Sequence, residues 1–273
     1  MLLTVDHVTH YRYSNPVRGV VQSHRLQPSV CDGQKVHAWR VGVSGAQRGG
    51  GFRDGAGDWV QGWTVQGPVS EVVVTVTGLV ETTDLAGVLK GHRETVPPMA
   101  YLADTAASRA DAALKSLAMA VFVAGEPLAS AHAMNAAVGA AIAYRPGATR
   151  TNTTAAEALA LGEGVCQDHA HAMIAMARAT HMPARYVSGY LFADASGVSH
   201  EAAHAWAEIW IEGLGWVGFD PANLCCPDAR YVRLGSGMDA LDAAPIRGTA
   251  RGPGTESLDV KVRISEGQSQ NQQ

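Results

Sequence analysis

The 273-residue sequence contains no uninterrupted apolar run of about 18 residues, the length a membrane-spanning helix needs. Its N-terminus, MLLTVDHVTHYRYSNPV, alternates apolar and polar residues, so it predicts no secretory signal peptide. Basic residues are not in excess, because the formal net charge is −4. Nucleic acid and anionic membranes attract clustered lysine and arginine. We therefore expect neither a nucleic-acid nor a membrane partner.

Cysteine is scarce as well, with four residues: Cys31, Cys166, Cys225 and Cys226. Four cysteines in this length do not make a disulfide framework, and the adjacent Cys225 and Cys226 cannot readily bridge to each other. A reducing, cytoplasmic location is the simplest expectation. The sequence also has no acidic loop with calcium-ligand spacing, so no calcium cofactor is expected.

The first part of the chain, residues 1–90, predicts a β-rich, β-sandwich-like domain, because short runs of β-branched residues alternate with turn signals. Asn15-Pro16 is expected to end the first strand, and the glycine-rich stretch 45–57 is expected to be a loop. The predicted strands cover residues 3–13, 20–26, 36–43, 58–65 and 71–81.

The second part, residues 98–265, predicts an α+β domain that begins after Pro97. Alanine-rich segments with helical spacing come first, and Thr154 with Glu157 then forms a capping box for a short helix. A helix is expected from Cys166 to about Thr180. Strands are expected over 184–192, 204–211, 215–220 and 257–264, and a disordered tail over 266–273.

The stretch GEGVCQDHAH at 162–171 places Cys166 in the first turn of a predicted helix. Unpaired backbone N–H groups and the positive end of the helix dipole stabilise a thiolate there, and the same groups can receive an oxyanion. A thiol nucleophile needs a base, and the base needs an orienting group. His204 and Asp220 fall on matching faces of two successive predicted strands, so they are the candidates for these roles.

The pairing of those two strands decides whether the ring and the carboxylate meet. An antiparallel hairpin closed around Glu212 would place Glu208 opposite Trp216 and His204 directly opposite Asp220, with Cβ atoms about 5 Å apart. A slip of one residue would turn Asp220 to the other face. The predicted geometry therefore gives the series Cys166, His204, Asp220.

Asp168, His169 and His171 follow Cys166 in a C-x-D-H-x-H pattern that could suggest a zinc site. These positions fan around more than one helical turn and cannot all converge, so we expect no metal and no other cofactor. Asp168 suits the first turn of a helix electrostatically. Trp206 is a candidate either for lining an acyl groove or for the core, as are two further tryptophans, Trp210 and Trp216.

Four stretches, GEGVCQDHAH, MPARYVSGYL, HAWAEIWI and GWVGFDPAN, together resemble the core of the transglutaminase-like superfamily, a branch of the papain-like cysteine enzymes. The β-rich start, with VDHVTHYRYSNPV, resembles the N-terminal domain of its bacterial members. The resemblance implies a helix carrying Cys166 packed on an antiparallel sheet. It also implies that Cys166 is the nucleophile and part of the oxyanion hole through its own N–H, that His204 is the general base and later acid, and that Asp220 orients the ring.

One stretch departs from the family pattern. After Asn223 the bacterial members usually carry a histidine-containing stretch, whereas this chain continues LCCPDARYVRLGSGMDALDAAPIRG. The rim of the site is therefore the part that the resemblance describes least.

The resemblance implies thiol-dependent acyl transfer on a peptide or protein substrate through a thioester. With water as acceptor the protein would be a cysteine peptidase or amidase, which we favour because water is always present. With an amine as acceptor it would be a protein-glutamine gamma-glutamyltransferase. A non-catalytic peptide-binding module is a third alternative, but such a module is expected to have lost one of the three residues.

Overall fold

The computed structural model describes residues 1–192 and 203–267. Its α-helices and strands form two groups, each built around an antiparallel sheet, and a short parallel pair, Ala143–Tyr144 with Glu163–Gly164, lies outside both sheets. A 3₁₀ helix, Pro98–Leu102, lies between the groups. The elements are β1 (Leu2–His24), β2 (Gln34–Val43), β3 (Ala46–Arg53), β4 (Trp59–Thr82), α1 (Ala112–Val121), α2 (Pro127–Ala141), β5 (Ala143–Tyr144), α3 (Ala155–Leu161), β6 (Glu163–Gly164), α4 (Cys166–Ala179), β7 (Ala184–Leu191), β8 (Ala203–Ile211), β9 (Gly215–Phe219), β10 (Tyr231–Gly237), β11 (Ile246–Arg251) and β12 (Glu256–Glu266).

The first sheet has six strands, with the order β11-β1-β4-β2, β12 on β1 and β3 on β4. Two long strands, β1 and β4, replace the four short ones predicted for the same residues. The prediction that Asn15-Pro16 ends the first strand is wrong. The pairing of β1 with β4 shifts between Arg12 and Val17, so Pro16 lies in a bulge where the ladder needs no N–H from it.

The predicted loop over 45–57 is also corrected, because β3 occupies most of it and pairs with β4. A Cβ on Gly51 would come within 2.5 Å of the Trp59 ring. The glycines here allow a neighbouring strand to approach closely. A glycine-rich stretch can therefore belong to a strand as well as to a turn.

The end of the chain returns to the first sheet. Both β11 and β12 pair with β1 in antiparallel register. The predicted strand over 257–264 is confirmed and is longer, but the predicted boundary placed residues up to 265 in the second domain. Glu266, predicted to begin the disordered tail, is the last residue of β12, and the N–H of Gly267 donates to the Leu2 carbonyl at 2.7 Å. Residues 268–273 of that prediction lie outside the described residues.

The second sheet, β10-β7-β8-β9, carries α4 against one face. The predicted helix from Cys166 is confirmed, and its residues from Asp168 to Arg178 are all buried. The capping box at Thr154 is confirmed too, since the side chains and backbone N–H groups of Thr154 and Glu157 are reciprocally bonded. The α+β class, with a helix carrying the cysteine on an antiparallel sheet, is therefore confirmed.

The two sheets share a hydrophobic core and a buried ionic network. Tyr190 of β7 and Val232 of β10 pack in one apolar cluster with residues of β1 and β4. Glu208 accepts from both Arg185 and Arg233, and Arg233 also pairs with Asp58 of the N-terminal part at 3.0 Å. These contacts fix the first sheet against the β7 and β10 side of the second sheet. No helix within the described residues has both the length and the apolar character to cross a membrane.

Candidate active site

Cys166 is the first residue of α4 and is partly buried. The Asp168 carboxylate accepts from the backbone N–H of Val165 at 2.8 Å and from the Thr149 hydroxyl at 2.6 Å, which fixes the start of the helix. A Cβ on Gly164 would come within 2.8 Å of the Asp168 side chain, so glycine is needed here. The thiol is thereby held at a helix N-terminus, where backbone N–H groups favour negative charge.

His204 and Asp220 meet in the structure. The ring Nε2 donates to Oδ2 of Asp220 at 2.6 Å. The His204 side chain is 10% exposed and that of Asp220 is 1% exposed, so the pair is largely withdrawn from water. Cys166 faces the same ring closely enough to help raise its pKa. The three residues singled out from the sequence are thus brought together in the predicted order.

The route by which His204 and Asp220 meet differs from the predicted one. The ladder pairs Glu208 with Gly218 and Trp210 with Trp216, so the predicted register is wrong by two residues. A slip of two keeps every side chain on its face, whereas a slip of one would not. Asp220 leaves the ladder after Phe219 and bridges to Cys225, and its carboxylate reaches His204 diagonally.

The Asp220 carboxylate accepts from several donors besides His204. Oδ2 also accepts from Asn223 Nδ2 and from the Tyr231 hydroxyl, both at 2.7 Å. Oδ1 accepts from the backbone N–H groups of Ala222 and Asn223 at 3.1 and 3.3 Å. Burial alone would raise the pKa of Asp220, but the charge of His204 and these donors together lower it. The carboxylate is therefore kept ionised in a buried position.

The same surroundings act on His204 in the opposite direction. Burial would lower the pKa of the ring, but the charge and hydrogen bond of Asp220, with a smaller contribution from Cys166, outweigh it and raise the pKa to about 10. The ring therefore carries its second proton at neutral pH, and it can give that proton to a leaving group beside the cysteine.

Aromatic rings surround the pair on the sheet face. Trp206 lies 6.4 Å from the His204 ring, nearly parallel to it, and Tyr231 meets the Trp206 ring edge-on at 5.5 Å. Gly189, opposite His204 on β7, makes room for this, because a Cβ there would come within 2.6 Å of the Trp206 ring. Trp206 therefore contacts the candidate site, whereas Trp216 packs under Arg185 at 4.0 Å.

The residues of the C-x-D-H-x-H pattern have separate structural partners. The His169 ring contacts the carbonyls of Val165 and Ile142, and His171 accepts from the backbone N–H of Ala240. Across residues 1–192 and 203–267, no three His, Cys, Asp or Glu side chains are placed to hold one metal ion. These residues serve to anchor α4.

Two residues of the site were missed by sequence reasoning, namely Asn223 and Tyr231. Asn223 stands three residues after Asp220 in DPAN, a spacing from which a side chain can return to the carboxylate in a turn. Tyr231 lies in the stretch that departs from the family pattern. The spacing of Tyr231 and Arg233 in YVRLGSG puts both side chains on one face of a strand, but it does not indicate which side chain Tyr231 meets.

Family models match two segments of the chain. The model described as transglutaminase-like superfamily matches residues 117–221, and the model described as bacterial transglutaminase-like N-terminal region matches residues 3–81. The first segment contains Cys166, His204 and Asp220, and the second coincides with the first four strands.

Individual relatives extend these matches. An uncharacterized protein of Mycobacterium leprae is 32% identical over 96% of this chain and 98% of its own length. A protein-glutamine gamma-glutamyltransferase of Pseudomonas aeruginosa is 34% identical over 71 residues, which are 24% of this chain and 11% of that protein. The crystal structure of a candidate cysteine protease from Cytophaga hutchinsonii superposes with a TM-score of 0.75 at 22% identity, covering 100% of this chain and 92% of that one. This last likeness bears on the fold.

Proposed function

Because the chain belongs to the transglutaminase-like superfamily, we propose that it catalyses thiol-dependent acyl transfer on peptide or amide substrates. Cys166 is the nucleophile, His204 exchanges the proton, and Asp220 orients and charges the ring. The observation that carries the proposal is the 2.6 Å bond from His204 Nε2 to Asp220, made by a ring whose pKa is also raised by Cys166 at the start of α4.

The first half-reaction uses these groups in sequence. The sulfur of Cys166 attacks the amide carbonyl carbon, and the carbonyl oxygen becomes an oxyanion that the backbone N–H of Cys166 can receive. His204 then gives its proton to the amide nitrogen, the carbon–nitrogen bond breaks, and the amine leaves. The products of this half are a thioester on Cys166 and a neutral imidazole.

The second half-reaction returns the enzyme to its starting state. The neutral ring of His204 takes a proton from the acceptor, whose oxygen or nitrogen attacks the thioester carbon, and the sulfur leaves as thiolate. With water as acceptor the product is a carboxylic acid. With a primary amine as acceptor it is a new amide.

We favour hydrolysis, and therefore a cysteine peptidase or amidase. Water reaches a partly buried thiol without a dedicated site, whereas an amine acceptor needs a second binding site. The alternative, protein-glutamine gamma-glutamyltransferase activity, is supported by the local match to the Pseudomonas aeruginosa enzyme. That match spans a small part of either protein, so transamidation stands second.

The test is incubation with a peptide library, with and without a primary amine, followed by mass spectrometry. Cleavage, deamidation of glutamine and amine incorporation each give a different mass change, and cleavage or deamidation without amine is the expected result. Amine incorporation alone would replace hydrolysis by the alternative. Every product should disappear in Cys166→Ala, and products that persist in that variant would refute the proposed function.

A further inference from the structure

Tyr231 stands at the first residue of β10, at the end of a tightly ordered turn. Asp228 accepts from the backbone N–H of Arg230 at 2.8 Å and from its guanidinium Nε at 3.0 Å. The Tyr231 backbone N–H donates to the Asp228 carbonyl at 3.2 Å. The Arg230 carbonyl accepts from Phe192, which ties the turn to the end of β7. The backbone that presents Tyr231 is therefore fixed on both sides.

The direction of the hydrogen bonds at the Tyr231 hydroxyl follows from counting protons. An ionised carboxylate can only accept, so the phenol gives its single proton to Asp220 Oδ2 at 2.7 Å. Cys225 Sγ lies 3.3 Å from the Tyr231 hydroxyl oxygen. Because the phenol proton is already given to Asp220, the S–H of Cys225 donates to this oxygen. Burial raises the pKa of Cys225 and also that of Tyr231, so both protons stay in place near neutral pH.

The ring of Tyr231 is held as firmly as its hydroxyl. The residue is 5% exposed, its ring meets Trp206 edge-on, and its centroid lies 5.9 Å from that of His204. Tyr231 thus touches both members of the His204–Asp220 pair. It also adds one of the three donors at the oxygen that His204 uses, and the other two are His204 itself and Asn223.

We propose that Tyr231 is a positioning residue of the site, whose hydroxyl keeps the buried Asp220 carboxylate ionised and directed at Nε2 of His204. Burial favours the neutral acid, and a neutral acid would no longer hold the ring as an imidazolium. The inference rests on the proposed function, since a positioned ring matters only if it moves protons.

Tyr231→Phe removes the hydroxyl and keeps the ring. The titratable groups that face Asp220 are His204 on β8, Tyr231 on β10 and Cys225 in the turn, and Cys166 faces His204 from α4. Because the Tyr231 hydrogen bond lowers the pKa of Asp220, its loss should move the acid limb of the kcat/KM profile to higher pH. A lost hydrogen bond to a charged group predicts a fall in kcat of roughly 10-fold to 100-fold, with KM changed less than about 3-fold.

The matched control is Tyr190→Phe. Tyr190 is also a buried sheet tyrosine with a hydroxyl hydrogen bond, made to His7 at 2.8 Å in the shared core. The Tyr190→Phe variant should lose about as much stability as Tyr231→Phe, but its kcat/KM profile should keep the wild-type pH dependence. If Tyr231→Phe behaves like this control, Tyr231 is structural only and the inference is wrong.

A readout without substrate separates this inference from the proposed function. The Asp220 carboxyl can be titrated by ¹³C NMR in the resting protein, where Tyr231→Phe should shift its midpoint upward and Tyr190→Phe should not. A more acidic phenol, site-specific 3,5-difluorotyrosine at 231, should shift the midpoint downward. Unchanged midpoints would overturn the inference even in an active enzyme. The expected midpoint shifts would support the role of Tyr231 in keeping Asp220 ionised even if no acyl transfer were found.

Discussion

His204 lies between a carboxylate and a thiol, and these neighbours determine when its ring carries a second proton. Desolvation opposes the charge, yet the nearby Asp220 carboxylate, with a smaller contribution from Cys166, raises the pKa to about 10. In return, the charge and hydrogen bond of His204 lower the pKa of Asp220. At the residue scale, the candidate site is therefore a set of opposite charges held together out of water, and its ionisation should affect both folding and catalysis.

The raised pKa of His204 predicts a pH dependence of stability. The unfolded ring titrates near 6.5 and the folded one near 10, so the folded state holds an extra proton between these values. The contribution is complete below the lower value and is lost as pH rises through the upper one. Within that window the free energy of unfolding should fall by about 1.4 kcal/mol per pH unit.

Denaturant unfolding at a series of pH values checks this, with His204→Gln as the comparison. The contribution of His204 is the difference between the wild type and His204→Gln in the slope of unfolding free energy against pH. Parallel curves for the two proteins would show that the ring has no raised pKa.

Asp220→Asn should preserve the shape of the site and remove its charge. The amide can donate towards Nε2, which would hold the ring in the wrong tautomer, so kcat should fall by about 10²- to 10⁴-fold. Steady-state kinetics measures this, and circular dichroism checks the fold. Asp6→Asn, on the exposed part of β1, is the matched control and should keep full activity. An Asp220→Asn variant with near wild-type kcat would remove Asp220 from the mechanism.

At the element scale, the β8–β9 hairpin shows what alternation in a sequence does and does not determine. Alternation identified the face that His204, Trp206 and Asp220 share, because side chains point to opposite faces with period two. The register depends on the turn, where Gly213 and Gly215 adopt φ of +82° and +86°. Nothing in EGLG distinguishes this three-residue loop from a tighter turn, so the face was predictable and the pairing was not.

Glu208 on β8 should be the strongest single electrostatic contribution to the second sheet. It lies between Arg185 and Arg233, both buried, and their charges lower its pKa to about 2 against the burial that would raise it. Glu208→Gln removes the carboxylate that both guanidinium groups share, while Arg185 keeps Glu94 and Arg233 keeps Asp58 as partners, and it should cost about 1.5–3 kcal/mol of unfolding free energy. The wild-type contribution is present above the unfolded pKa of 4.5 and is lost as pH falls towards 2.

The matched control for Glu208→Gln is Glu71→Gln, because Glu71 is 47% exposed and pairs with Arg12 at 3.6 Å. That change should cost less than about 1 kcal/mol. Denaturant unfolding at pH 7 compares the two variants. Equal losses would mean that the buried network contributes no more than a surface pair.

At the scale of the whole molecule, the first and last strands lie side by side. β12 pairs with β1 along eleven residues of each, from Leu3–Glu266 to Tyr13–Glu256, and contributes to the same core. The alternation in 257–264 predicted a strand, but a local pattern does not specify a partner about 250 residues away, because that choice depends on packing across the whole sheet. The local pattern therefore predicts the strand but not the sheet that it joins.

Ile264→Ala should therefore destabilise the N-terminal sheet although it changes the end of the chain. Ile264 is 3% exposed and packs with Leu3 and Val5, so the loss should be about 2–5 kcal/mol. Leu258→Ala on the same strand is the control, because Leu258 is 56% exposed, and it should change stability by less than about 0.5 kcal/mol. Thermal or denaturant unfolding measures both. A negligible effect of Ile264→Ala would place β12 outside the cooperative fold.

The claim on which the function depends is that the sulfur of Cys166 becomes acylated. The most direct measurement is mass spectrometry of an acid-quenched reaction with a turned-over peptide, followed by digestion and mapping of the acyl group. The account predicts the acyl mass on the fragment containing Cys166 in the wild type and its absence in Cys166→Ala. An acyl group mapped to another residue, or undiminished turnover by Cys166→Ala, would contradict it.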